Sequence, residues 1–184
     1  MNLLVLGPQG SGKGTQGARI QADFGIPHVS TGAMFRDAIA ARSELGLRVE
    51  PILAAGELVP DDVTVALIRE RLSAPDAADG FILDGFPRNQ AQADALDAML
   101  RDIGRELDAV LFFDLPDEIA IERMKGRADG RGDDTPEVIA RRLEIYHDQT
   151  APVVEHYRAT GKLVRLRAER SVDEVYAEVQ EALA

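Results

Sequence analysis

Apolar residues along this chain follow two rhythms. Apolar runs occur at 3–6, 81–84 and 109–114, the last two ending on an aspartate, with further extended pieces at 27–30 and 162–166. Between them apolar residues return every three or four positions, at 13–24, 31–42, 43–55, 60–72, 89–102, 116–126, from 135 onward and again from 171. Continuous short runs predict strands buried on both faces, and the longer period predicts amphipathic helices. Strands alternating with helices five times predict an α/β fold: a five-stranded parallel sheet covered by helices on both faces. Ligands of such sheets bind at the carboxyl ends of the strands.

The helix boundaries carry chemical punctuation. Ser30 or Thr31 can cap the helix that follows, Gly56 can end the next one, and Pro60-Asp61-Asp62 opens another with acids in its first turn. Pro136 suits the first turn of a helix, and Ser171 with Glu174 forms a capping box. Pro51 is expected to kink or divide the helix over 43–55, and Pro152 to do the same after 135. Met34, Phe35 and Ile39 read as packing residues.

Composition narrows the possible partners. A chain of 184 residues makes one domain with small insertions. A net charge of -11 argues against nucleic acid as a partner and makes any cluster of arginines informative. Zero cysteines exclude disulfides, thiolate zinc sites and cysteine catalysis. No apolar run approaches the ~20 residues of a membrane span. No signal peptide is read at the start, so the expectation is a cytoplasmic protein without a membrane.

The chemistry concentrates after the strands. Gly7-Pro-Gln-Gly-Ser-Gly-Lys-Gly-Thr15 follows the first strand and opens a helix, the context of a phosphate-binding loop. Its glycines let backbone N–H groups converge on phosphate oxygens, the helix N-terminus favours an anion, and Lys13 adds a full charge. Gly14, not Ser or Thr, follows the lysine. Asp84 ends a buried strand, where a carboxylate can hold Mg²⁺ directly or through water. Arg36, Arg88, Arg123, Arg127, Arg131, Arg141 and Arg142 are candidates for phosphate contacts; spacing does not choose between the last two. The charged, glycine-rich stretch 127–134 predicts a mobile loop, and arginines around it could close on a transferring phosphoryl group. His28, His147 and His156 lie at no metal-ligand spacing and read as structural. Arginines outnumber candidate bases. That favours an acceptor that is itself a phosphate, already ionised, over a hydroxyl that needs deprotonation.

On these motifs the chain resembles the adenylate kinases, in their bacterial short-lid form, over essentially its whole length. The residues that carry the resemblance are Gly7 to Thr15, Ser30-Thr31-Gly32, Asp84-Gly-Phe-Pro-Arg88, Gly126-Arg127, Asp133-Asp134-Thr135 and Thr150-Ala-Pro152. It implies a P-loop fold with a core of residues 1–29, 60–125 and 137–184, a small helical AMP-binding subdomain at 30–59 and a short lid at 126–136. It implies reversible transfer from Mg-ATP to AMP giving two ADP, in line and without a covalent enzyme intermediate, by a monomer. ATP would be held by Gly10, Ser11, Gly12, Lys13, Gly14, Thr15, Arg123, Arg127 and, at the base, Arg170. AMP would be held by Thr31, Arg36, Gly85, Phe86, Pro87 and Arg88. Backbone of Glu57, Leu58 and Val59 would line its base, and Gln92 would read the adenine edge. Arg131 and Arg142 would bridge the phosphates, with Lys13, Arg88, Arg123, Arg131 and Arg142 forming the catalytic set. Mg²⁺ would sit near Asp84, and a lid this short implies no structural zinc.

The nearest alternative is a UMP/CMP kinase, which shares the loop, the fold and the short lid. Gln92 favours adenine, because an amide offers one acceptor and one donor, whereas the pyrimidine kinases tend to carry Asn. A nucleotide-binding switch without turnover would have no use for the second-substrate motifs at 31–36 and 85–92.

Overall fold

A computed structural model describes residues 1–126 and 134–184. The apolar runs become strands β1 (Asn2–Leu6), β2 (His28–Ser30), β3 (Phe81–Asp84), β4 (Ala109–Asp114) and β5 (Leu163–Arg167). They form one sheet in the order β2-β3-β1-β4-β5, every neighbouring pair parallel. The fold is the expected α/β architecture. Central β1 is buried along its whole length, as an apolar run without alternation requires.

Side chains alternate faces along a strand, so each strand feeds two cores. Leu3 and Val5 of β1, Ile82 of β3 and Leu111 and Phe113 of β4 join one cluster. Leu4 and Leu6, Phe81 and Leu83, and Val110 join the other. The first face is covered by α1 (Lys13–Phe24), α6 (Asp117–Lys125), α7 (Pro136–Ile145) and α9 (Val172–Leu183), through Ile20, Met124, Ile139 and Val179. The second is covered by α4 (Asp61–Leu72), α5 (Gln90–Asp102) and α8 (Ala151–Arg158), through Ile68, Leu96 and Val153. A third, smaller cluster of Phe35, Val49 and Val59 lies between α2 (Thr31–Ala40), α3 (Glu44–Ala54) and the start of α4.

Local details depart from the expectations at three places. The helix after β2 stops at Ala40, because Arg42 takes a left-handed φ of 54° and turns the chain into the Ser43 cap of α3. Pro51 neither kinks α3 into two nor ends it: α3 runs as one helix through it. Both Pro51 and Leu47, whose carbonyl loses its partner, lie on the exposed face, where solvent can replace the missing N–H. Pro152 acts as expected but by a different device. A π-helical turn, Tyr146–Thr150, separates α7 from α8, and Ala151 donates its N–H to the Tyr146 carbonyl. The extra residue accommodates a proline that has no N–H of its own to give. No helix among the described residues is long and apolar enough to cross a membrane.

Candidate active site at the carboxyl ends of the strands

A cavity of about 1360 Å³ opens at the carboxyl ends of β1 and β3. It exceeds the ~300–1,000 Å³ of a typical pocket for one small ligand. It is lined by the loop 9–16, the start of α2, the turn after α3, Asp84 and the loop behind it, Gln92, Arg123, Arg142 and Arg170.

The loop between β1 and α1 forms one wall. Gly12 caps α1 in the left-handed region, with φ 89°, and a side chain there would meet nothing within 4 Å. The helix end has no side-chain cap and no acid in its first turn, so its N–H groups are left for an anion. Lys13 Nζ donates to the carbonyls of Gly7 and Pro8, both at 2.8 Å, which holds the ammonium across the loop. Arg123 Nη1 donates to the Ala168 carbonyl at 2.8 Å and reaches Gly10 O at 3.4 Å, bracing the loop from α6. Arg170 lines the far edge and pairs with Glu178 at 3.0 Å.

The opposite wall is built from side chains. Gly85 has φ 83°, and a Cβ there would stand 2.5 Å from Thr31 Oγ1, so only glycine lets the loop after β3 pack on α2. Three bonds fix Arg88. Its N–H donates to Gln92 Oε1 at 2.8 Å, its carbonyl accepts from Thr150 Oγ1 at 2.7 Å, and its Nε donates to Gly85 O at 2.9 Å. Burial pulls the Arg88 pKa below its ordinary value; Asp84 opposes this, and the charges of Arg142 and Arg36 add to it. Two guanidinium groups therefore act on a third, and an anion beside Arg88 would offset that repulsion. Arg142 pairs with Asp134 at 2.6 Å, with side-chain exposures of 10% and 8%. Arg141 points elsewhere, to Glu57 at 2.6 Å and Glu144 at 2.7 Å. The structure thus separates the two arginines that spacing could not. Thr31, Arg36, Glu57, Leu58 and Val59 line the cavity with Pro87 and Gln92. Phe86 does not: its ring is fully buried in the core beside Leu83, where it anchors the loop.

Asp84 ends β3 at the floor of the cavity. Its Oδ2 lies 3.2 Å from His28 Nε2, and its other carboxylate oxygen has no partner among the described residues. Burial, the largest single influence, acts to raise its pKa. The His28 hydrogen bond and the charges of Lys13, His28 and Arg88 together outweigh it and hold the carboxyl below its ordinary range. An ionised carboxylate with a free oxygen beside a phosphate loop fits Mg²⁺ held through water. Gly17 makes the His28 contact possible, since a Cβ on α1 would stand 2.6 Å from the imidazole. The other histidines pair with Asp117 and Asp97, both at 2.8 Å, away from this cavity. Among the described residues no cluster of three or more acidic or histidine side chains is arranged to hold a metal ion.

Arg127 and Arg131 lie outside the described residues. Sequence reasoning also missed residues of the cavity wall. Gln16 is buried in it and donates from Nε2 to the Val172 carbonyl at 2.9 Å, and Thr150 steadies Arg88 from the π turn. Behind the wall, Asp61 accepts at one oxygen from Asn89 Nδ2 at 2.9 Å and from Gln92 Nε2 at 2.8 Å. Partners this distant in sequence leave no spacing to read; the only signal was the unusual run of polar residues at the start of α5.

The family model for adenylate kinase matches residues 5–162. Proteins named adenylate kinase from Xanthomonas campestris pv. campestris (strain 8004) and from Stenotrophomonas maltophilia (strain K279a) are each 49% identical over 185 aligned positions, covering 100% of this chain and 99% of theirs. The adenylate kinase of Xanthomonas euvesicatoria pv. vesicatoria (strain 85-10) is similar to the same degree.

Proposed function

The chain belongs to the adenylate kinase family, and we propose that it transfers the terminal phosphoryl group of Mg-ATP to AMP, reversibly, giving two ADP. One observation carries the reading. A phosphate loop with its lysine and three arginines, Arg36, Arg88 and Arg142, border a single cavity in a chain of net charge -11. Such a cavity suits two phosphate-bearing substrates set end to end. Nothing in the family match or in these relatives' names supports the UMP/CMP kinase alternative.

On this reading Gly10 to Thr15 cradle the phosphates of ATP, and Lys13 moves from the loop carbonyls to the terminal phosphates. Arg123 steadies the loop and, like Arg127, meets ATP, with Arg170 at the base. Thr31, Arg36 and the 57–59 backbone hold AMP, Gln92 reads its base, and Gly85 to Arg88 reach its phosphate. Arg131 and Arg142 neutralise the charge that spreads over the transferring group. The AMP phosphate is already ionised, so attack in line needs no base and forms no covalent enzyme intermediate. Asp84 would hold Mg²⁺ through water, and the ion, when bound, would supply positive charge to offset that of the phosphates. The separate cluster of Phe35, Val49 and Val59 supports treating 30–59 as a subdomain. We assign residues 126–136 to a short lid, the rest to the core, and the protein to the cytoplasm as a monomer without nucleic acid partners. Closing both small parts would exclude water and suppress hydrolysis.

The test supplies ADP alone with Mg²⁺ and follows nucleotides by chromatography. Equal amounts of ATP and AMP are expected, with AMP preferred over CMP, UMP and GMP when ATP is the donor. Absence of disproportionation, with CMP or UMP accepted instead, would overturn the reading.

A further inference from the structure

We propose that Asp61 is a specificity-determining residue: it locks the Gln92 amide in the one orientation that accepts a 6-aminopurine and refuses a 6-oxopurine. This deepens the proposed function and rests on Gln92 meeting the acceptor base.

The two ends of a glutamine amide have the same shape, so the groups they face decide which end is which. Here both neighbours are unambiguous. The Arg88 backbone N–H can only donate and faces Gln92 Oε1 at 2.8 Å. The Asp61 carboxylate, when ionised, can only accept and faces Gln92 Nε2 at 2.8 Å. Turning the amide over would set nitrogen against an N–H and oxygen against a carboxylate. Two hydrogen bonds would become two repulsions in a side chain that is 1% exposed.

Each end keeps one function unused among the described residues: a second N–H on Nε2 and a second lone pair on Oε1. A 6-aminopurine presents an N6–H donor beside the N1 acceptor and complements this pair. A 6-oxopurine presents an O6 acceptor beside an N1–H donor, so it sets oxygen against oxygen and N–H against N–H. Only the inverted amide would suit it, and Asp61 opposes the inversion. Groups left unpaired in a buried site are the strongest source of discrimination between similar substrates.

Asp61 is itself held in place. It is the first residue of α4, and Asn89 Nδ2 binds the same Oδ1 at 2.9 Å. Asn89 also caps α5, accepting at Oδ1 from the Gln92 N–H at 2.9 Å. Two helix starts therefore meet at one carboxylate oxygen, and the reading residue lies one turn inside the second helix.

The experiment measures kcat/KM for AMP and for IMP, with Mg-ATP as donor, in four proteins. IMP differs from AMP only in the six-position group and the N1 proton, which makes it the cleanest probe. The wild type should favour AMP strongly. Asp61→Leu should lower the AMP/IMP ratio at least ~10-fold while the KM for ATP stays unchanged. Asp61→Asn should restore the ratio, because its Oδ1 can accept both existing bonds. Asn89→Ser keeps a capping oxygen but loses the bond to Asp61; it should lower Tm without moving the ratio. If Asp61→Leu does not fold, Asp61→Ala takes its place with the same expectation. A folded Asp61→Leu that discriminates like the wild type overturns the proposal and leaves the proposed function standing. So does an Asn89→Ser ratio that falls as far as that of Asp61→Leu. A wild type that does not prefer AMP to IMP overturns both.

Discussion

The two walls of the cavity are made of different material. The wall between β1 and α1 is backbone: a glycine loop, an uncapped helix end and one lysine resting on carbonyls. The wall behind β3 is side chain: Arg88, Gln92 and Thr150 line it, and Asp61 and Asn89 bond to Gln92 from behind. Backbone donors recognise phosphate whatever base it carries, so on the proposed reading the first wall would supply charge neutralisation without much choice. A buried network of paired side chains is intolerant of a wrong partner, so the second wall would supply choice. One site can thus use separate materials for catalysis and for selection.

The sharpest way to break this division is Arg88→Ala. Arg88 feels the charges of Asp84, Arg142 and Arg36, and on the proposed reading its removal takes a cation from the AMP phosphate. The expected loss is roughly 2–5 kcal/mol in kcat/KM for AMP, with little change in KM for ATP. An equal loss on the ATP side would mean the walls do not act separately.

Lys13→Met tests the other wall. Removing one preorganised charge should lower kcat by ~10²–10³-fold. Because Lys13 donates to the loop's own carbonyls and Ser11, on the wall opposite Gln92, the preference for AMP over other monophosphates should survive. A lysine variant with altered base preference would contradict the assignment of choice to the far wall, and near-normal kcat would remove the role of Lys13.

The same contrast explains what could be read in advance. The backbone wall is local: strand, loop and helix occupy 2–24, and glycine spacing betrays them. The sheet was legible for a related reason, since runs buried on both faces need no distant information. The side-chain wall joins residues 31 apart at Asp61 and Gln92 and 62 apart at Arg88 and Thr150. No period or spacing encodes such pairs. The resemblance supplied Gln92 and Arg88, but not what holds them. His28 reads as structural in the sequence, and its contact with Asp84 comes only from the register of β2 beside β3. Arg141 and Arg142 were inseparable in sequence because adjacent helical residues differ only in the direction they face.

That last pair supplies the smallest expected effect. Arg141 bonds Glu57 through Nε at 2.6 Å and Nη2 at 3.1 Å, linking α7 to the turn that follows α3. The link is partly exposed, with side-chain exposures of 41% and 44%, so solvent screens it. Arg141→Ala should raise KM for AMP by no more than about threefold, and the change should shrink as salt rises. Its pH dependence has a definite sign. The Arg141 hydrogen bond holds the Glu57 pKa below its ordinary value, against a weaker opposing effect of desolvation. A carboxylate lowered in the folded state contributes stability above its unfolded pKa, near ~4.3, and loses it as pH falls through the folded value. The Tm difference between wild type and Arg141→Ala should therefore be flat from pH 6 to 8 and close only in acid. A difference that persisted at acid pH would mean Arg141 acts by packing instead of charge. A fall in kcat to match Arg88→Ala would be more serious: Arg141 would then belong to the site, and the outward arginine of α7 would be as much a part of the second wall as Arg142.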